Sequence, residues 1–205
     1  MFFFLQNTLS SEINGFSRIE YLAVFNAIIF GFIVAEFFMG WGNFMRYRSQ
    51  IRFDFIPVIW SFLTFLVSIL IWWGTWTNNE FIGINIFYYY YSLVLPLILY
   101  LVCVFLFPKI NETRYEKDIF DLERYFQKQA PIICFLYGLL FTAMIINSVI
   151  FQEYEFFHLK NYIKGGAALL AFGGIVIKNR RYYWLITAIM LFLFVGFLLT
   201  MEIQH

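Results

Sequence analysis

Charge is what this chain has least of. Only 13% of its 205 residues are Asp, Glu, Lys or Arg, about half the share a soluble globular domain carries. So few charges cannot cover a water-facing surface, which excludes an ordinary soluble domain. Histidine is scarcer still, at His158 and His205 only. The nearest thing to a metal group is His158 with Glu153 and Glu155, and that trio lacks ligand spacing. The two cysteines, Cys103 and Cys134, lie inside apolar runs and suggest neither a metal site nor a disulfide framework. No glycine-rich phosphate loop is present. A net charge of +1 provides no basic field for nucleic acid. No metal and no cofactor is therefore expected. The apolar start, Phe2 to Leu5, follows no basic stretch and is too short for a signal sequence, so no cleavage is expected. It should lie in the membrane interface as an anchor.

What the chain does have is apolar length. It is 62% hydrophobic and 24% aromatic. Six runs are long enough to cross a bilayer or nearly so, at about 19–44, 55–76, 82–107, 130–151, 162–177 and 182–200. The expected fold is one all-α polytopic membrane domain over residues 1–205, with six transmembrane helices. Lys and Arg fall unevenly between them. Loops 45–54, 108–129 and 178–181 hold three, five and three, whereas Arg18, Lys160 and Lys164 are the only ones on the alternate side. Eleven against three, alternating without conflict, puts both termini on the non-cytoplasmic side.

The first run organises the rest. Ser17-Arg18-Ile19-Glu20 reads as a capping box. Ala23, Ala27, Gly31 and Ala35 recur every four residues, a ridge of small side chains that lets another membrane helix approach closely. Glu36 is the one acid well inside an apolar run. It lies about 100° round the helix from Ala35 and so flanks the ridge. An ionised carboxylate is costly in hydrocarbon, so Glu36 needs a proton, a partner or water. Either it is hydrogen-bonded to a neighbouring helix, or it serves ion, proton or ligand contact. Gly40 and Asn43 extend a small, polar stripe from it toward the inner face. In the second run Ser61, Thr64 and Ser68 form a hydroxyl stripe at i, i+3 and i+7. Such hydroxyls bond back to their own helix, glue helices together, or line a wet seam. With Asn43 they are the seam candidates.

The second run ends in Trp72-Trp73-Gly74-Thr75-Trp76, an aromatic belt. The third carries Asn85 and four tyrosines, Tyr88 to Tyr91. Four in a row point to all sides of a helix, so they cannot share one site. Pro96 should kink this helix and free a carbonyl near Ser92. Between Pro108 and Pro131, Tyr115, Ile119, Leu122 and Phe126 are spaced as the apolar face of a short amphipathic cytoplasmic helix. It either rests on the inner membrane surface or docks a cytosolic partner over 109–129, with Arg114, Lys117 and Arg124 as the candidate contacts. Asn111-Glu112-Thr113 matches a glycosylation pattern, which its cytoplasmic placement argues against. Seven of the ten residues from Gly165 to Gly174 are Gly or Ala, so the fifth helix should be thin and enclosed. Asn147, Ser148 and Thr187 complete the buried polar set, and the sixth run should otherwise face lipid.

Glu20-Tyr21, the Gly31 region, Trp72-Trp73, Pro96, Phe107-Pro108 and the Asp121 to Phe126 segment occur in the same order in a set of bacterial integral membrane proteins. Over roughly residues 17–150 the chain resembles that set. The resemblance implies an inner-membrane location and no particular activity.

Three functions fit. A non-enzymatic sensor or assembly subunit, homo-oligomeric or partner-bound, needs only packing surfaces and the charged inner segment. A small oligomeric ion or proton channel would use Glu36. A membrane-embedded enzyme would need clustered polar groups near one interface, which the sequence does not offer. The first is the expected one. The lipid bilayer is the expected partner in all three.

Overall fold

The computed structural model describes residues 18–77, 86–109, 119–151 and 159–202. The Phe2–Leu5 anchor, Ser17, Asn85, Arg114, Tyr115, Lys117, the 111–113 pattern, Glu153, Glu155 and the two histidines lie outside them. The described residues are mostly helical. They form α1 (Arg18–Arg46), β1 (Ile51–Arg52), α2 (Phe55–Thr77), α3 (Ile86–Leu106), β2 (Phe120–Asp121), α4 (Leu122–Phe151), α5 (Leu159–Val176) and α6 (Arg180–Glu202). Four stretches are long and apolar enough to cross a membrane: Ala23–Arg46, Phe55–Gly74, Tyr89–Leu106 and Leu122–Val149.

Helix α1 buries one clean face. Asn26, Phe30, Ile33, Phe37, Gly40 and Phe44 are all buried, and their spacing keeps them within about 80° of arc. Phe37 sits at the centre of this face, edge-on to Phe65 of α2 at 5.3 Å and to Phe107 beyond α3 at 5.7 Å. Helix α1 therefore lies in the groove between α2 and α3.

Helix α4 begins at Leu122, eight residues before the expected start of the fourth span, and continues through Pro131. The expected amphipathic helix is accordingly no separate element among the described residues. Asp121 caps α4 by accepting from the Arg124 amide at 3.1 Å. Leu122, Phe126, Ala130 and Ile133 then form one unbroken buried face. An interior proline costs about 3 kcal/mol, and burial of two large side chains is worth as much. Leu122 and Phe126 are buried as the amphipathic pattern implies, but Ile119 is 73% exposed.

Helix α3 likewise continues through Pro96. Its tyrosines point apart: Tyr90 is exposed, Tyr89 meets Phe25 of α1, and the Tyr91 hydroxyl donates to Ala143 O of α4 at 2.7 Å. Helix α5 runs back along α4 at short range because glycine permits it. A side-chain carbon on Gly138 would strike Phe172 at 2.5 Å, and one on Gly174 would strike Cys134 at 2.6 Å. Helix α6 closes on α2 through its buried Tyr183, Ile186 and Thr187.

One end of the bundle is tied by short polar links. Ile51 pairs with Phe120 and Arg52 with Asp121 in a parallel two-stranded clip. Arg180, which opens α6, reaches Asp54 ahead of α2 at 3.4 Å and Glu123 in the first turn of α4 at 3.0 Å. The three loops richest in Lys and Arg thus meet at the same end.

Candidate functional site

Glu36 lies about 80° from the centre of α1's buried face, on the flank that faces α3, and is half-buried. It is within electrostatic reach of the Cys103 thiol. Asn43 shares this flank and is also half-buried. Gly40, between them, is not open space: a side-chain carbon there would collide with the Phe107 ring. The small path expected from Glu36 toward the inner face is filled by an aromatic ring.

The hydroxyl stripe is fully buried, with Ser61, Thr64 and Ser68 at 1%, 0% and 2% exposure. Each bonds back to its own helix: Ser61 Oγ to Val58 O, Thr64 Oγ1 to Trp60 O, and Ser68 Oγ to Phe65 O. Two also join helices. The Trp41 indole of α1 donates to Ser61 Oγ at 3.0 Å, and Thr64 pairs with the Tyr137 hydroxyl of α4. Trp41 stands about 140° round α1 from Glu36. Glu36 with Asn43 and the hydroxyl stripe therefore occupy opposite flanks of α1, and the structure does not bring them together as one seam.

The small-residue ridge also turns away from the bundle. A four-residue step advances about 40°, so the ridge winds from the α2 flank at Ala23 to the outer face at Ala35. Ala27, Gly31 and Ala35 are exposed, and a side-chain carbon on Gly31 would meet nothing within 4 Å. No helix of this chain packs on it among the described residues.

Two groupings have little signal in the sequence. The first is the interior network around α2, where Trp60 Nε1 donates to Thr187 Oγ1 at 2.7 Å and Thr187 bonds back to Tyr183 O. With Thr64 and Tyr137 it links α2 to α4 and α6. The second is Asp54, 6% exposed, with Arg180 on one oxygen and no hydrogen-bond partner on the other. Its signal was a lone acid just ahead of the apolar run at 55, the position of a helix cap. Toward the other end of the bundle, Lys164 of α5 donates to Ser148 Oγ and Met144 O of α4, a cation bridging two helices. Of the proposed docking residues, Arg124 is described and exposed.

Among the described residues, no three His, Cys, Asp or Glu side chains gather to hold a metal. The arrangement supplies helix-to-helix polar contacts, an exposed small-residue face and one charged end. Compared with protein-family models, curated proteins and solved structures, the chain matches none.

Proposed function

We propose that the chain is a bacterial inner-membrane protein that crosses the bilayer six times, with both termini outside the cytoplasm. It acts through contacts, as a non-enzymatic sensor or assembly subunit in homo-oligomeric or partner-bound form. The observation that carries this reading is how the buried polar groups are used. Ser61, Thr64 and Thr187 each take a partner from another helix, so they hold the bundle together. The outer ridge of α1 adds a face suited to close approach by another helix. The meeting of the three basic loops at one end supports the alternating topology.

Mass measurement in nanodiscs tests the proposal. The parent should hold more than one copy of the chain, or one copy with a stoichiometric partner. A single copy with no partner overturns it. The second reading, an oligomeric channel, is favoured by one feature: Glu36 and Asn43 share a half-buried flank of α1.

A further inference from the structure

The charged end of the bundle is unbalanced in a way that ion pairing does not repair. Its three described acids, Asp54, Asp121 and Glu123, are each at least half-buried and already face an arginine. The exposed Arg124, Lys128 and Lys178 have no ion pair among the described residues. Arg124 and Lys128 stand one turn apart on the outer face of α4. Directly below them, on the same face, Ile132, Phe135 and Leu139 are exposed. All five fall within about 80° of arc. Phe135 is braced by Phe172 of α5 at 6.4 Å. Because α5 runs antiparallel to α4, with Gly174 against Cys134, it ends at Val176 about one turn short of Lys128. The turn that follows, which carries Lys178, leads toward Arg180 and its partner Glu123 at the head of α4.

Cations at the head of an apolar stripe match a lipid with a negative headgroup, and the polarity fits: charge at the membrane boundary, hydrocarbon-facing side chains beneath. We propose that this face of α4 and the α5–α6 turn form a binding site for an anionic phospholipid. Arg124, Lys128 and Lys178 hold the phosphate, and the acyl chain lies along Ile132, Phe135 and Leu139. The site rests on the membrane-spanning reading and is independent of any sensor or subunit role.

The test uses the full chain in detergent with added phosphatidylglycerol or phosphatidylcholine of the same acyl chains. Native mass spectrometry counts the lipid retained. The parent should retain phosphatidylglycerol in preference, and Arg124→Gln/Lys128→Gln/Lys178→Gln should lose that preference by about fivefold for each cation removed. The control Arg46→Gln/Arg48→Gln/Lys109→Gln removes the same charge from the same end and should keep it. Equal loss in both triple variants would show a diffuse charge effect and overturn the site. So would a parent without preference, which leaves Arg124 to a cytosolic partner. Glycerol phosphate, the headgroup without chains, should not compete; if it displaces the lipid, the apolar stripe is no part of the site. Should the triple variant aggregate, Lys128→Gln alone carries the same comparison. Sensor or subunit function is read separately, by copy number in nanodiscs.

Discussion

The Trp60 indole donates to the Thr187 hydroxyl at 2.7 Å, joining helices whose residues stand 127 positions apart in the chain. Both groups are buried, at 2% and 1% exposure, so no water replaces either partner. Thr187→Val keeps the shape and removes the acceptor, which leaves the indole N–H unsatisfied. Such a loss costs about 1–3 kcal/mol in water-soluble proteins and about 1 kcal/mol in membrane bundles. We expect the lower figure as reduced thermal stability in detergent. Trp60→Phe combined with Thr187→Val should cost less than the sum of the two, because the pair then leaves no orphan.

Arg180 makes a second long-range tie, and its loss should be felt through Asp54. Breaking a fully buried ion pair costs about 3–5 kcal/mol. Arg180 is 49% exposed on its side chain, so solvent screens it and we expect about 1–2 kcal/mol for Arg180→Gln. Asp54→Asn in that background should restore part of the loss, since it removes the carboxylate left behind. No restoration would show that Arg180 acts mainly through Glu123.

The two glycines of α1 should separate packing from association. Gly40→Ala meets the Phe107 ring, which must move, and overpacking of this kind costs about 1–3 kcal/mol. Gly31 is exposed, and a side-chain carbon there meets nothing within 4 Å, so Gly31→Leu points away from the bundle. It should leave the stability of a single copy unchanged while lowering the oligomer fraction in nanodiscs. An oligomer that survives Gly31→Leu intact would place the ridge in lipid.

How much of this was legible in the sequence depends on the contrast available. A helical membrane protein with several apolar spans follows directly from long uncharged runs. The two-stranded clip was not legible, because two-residue strands leave no periodic signal. Hydropathy starts the fourth run at about 130, whereas Leu122, Phe126, Ala130 and Ile133 carry the buried face of α4 back past that point. The facing of α1 was hidden for a physical reason. In hydrocarbon both the packed and the lipid-facing sides are apolar, so hydrophobicity does not mark the interior. Small side chains marked a surface suited to contact, whereas the large aromatics Phe30, Phe37 and Phe44 mark the one this chain uses.

Topology is open to direct chemical test. With Cys103 and Cys134 replaced by Ala, Ser49→Cys and Gln127→Cys should resist an impermeant thiol reagent added to intact spheroplasts. Asn79→Cys and Gln204→Cys should react. The opposite labelling pattern would invert the protein in the membrane and move the charged end outside.

Glu36 decides between the two functional readings. A carboxylate at the flank of a membrane helix is retained either for contact or for charge transfer. Its surroundings favour contact: one turn below, the Phe107 ring fills the space that a side-chain carbon on Gly40 would take. The hydroxyls that would extend a conducting path face Trp41 and Tyr137 instead. Glu36→Gln keeps the shape and most of the hydrogen-bonding capacity while removing the charge. We expect liposomes with the parent protein to pass protons and potassium ions no faster than empty ones, and Glu36→Gln to match the parent in copy number and thermal stability. Flux through the parent that falls in the Gln variant would reverse the assignment, because only a group whose charge is used would show it. Loss of copy number without flux would instead put Glu36 at the contact between copies, on the flank it shares with Asn43.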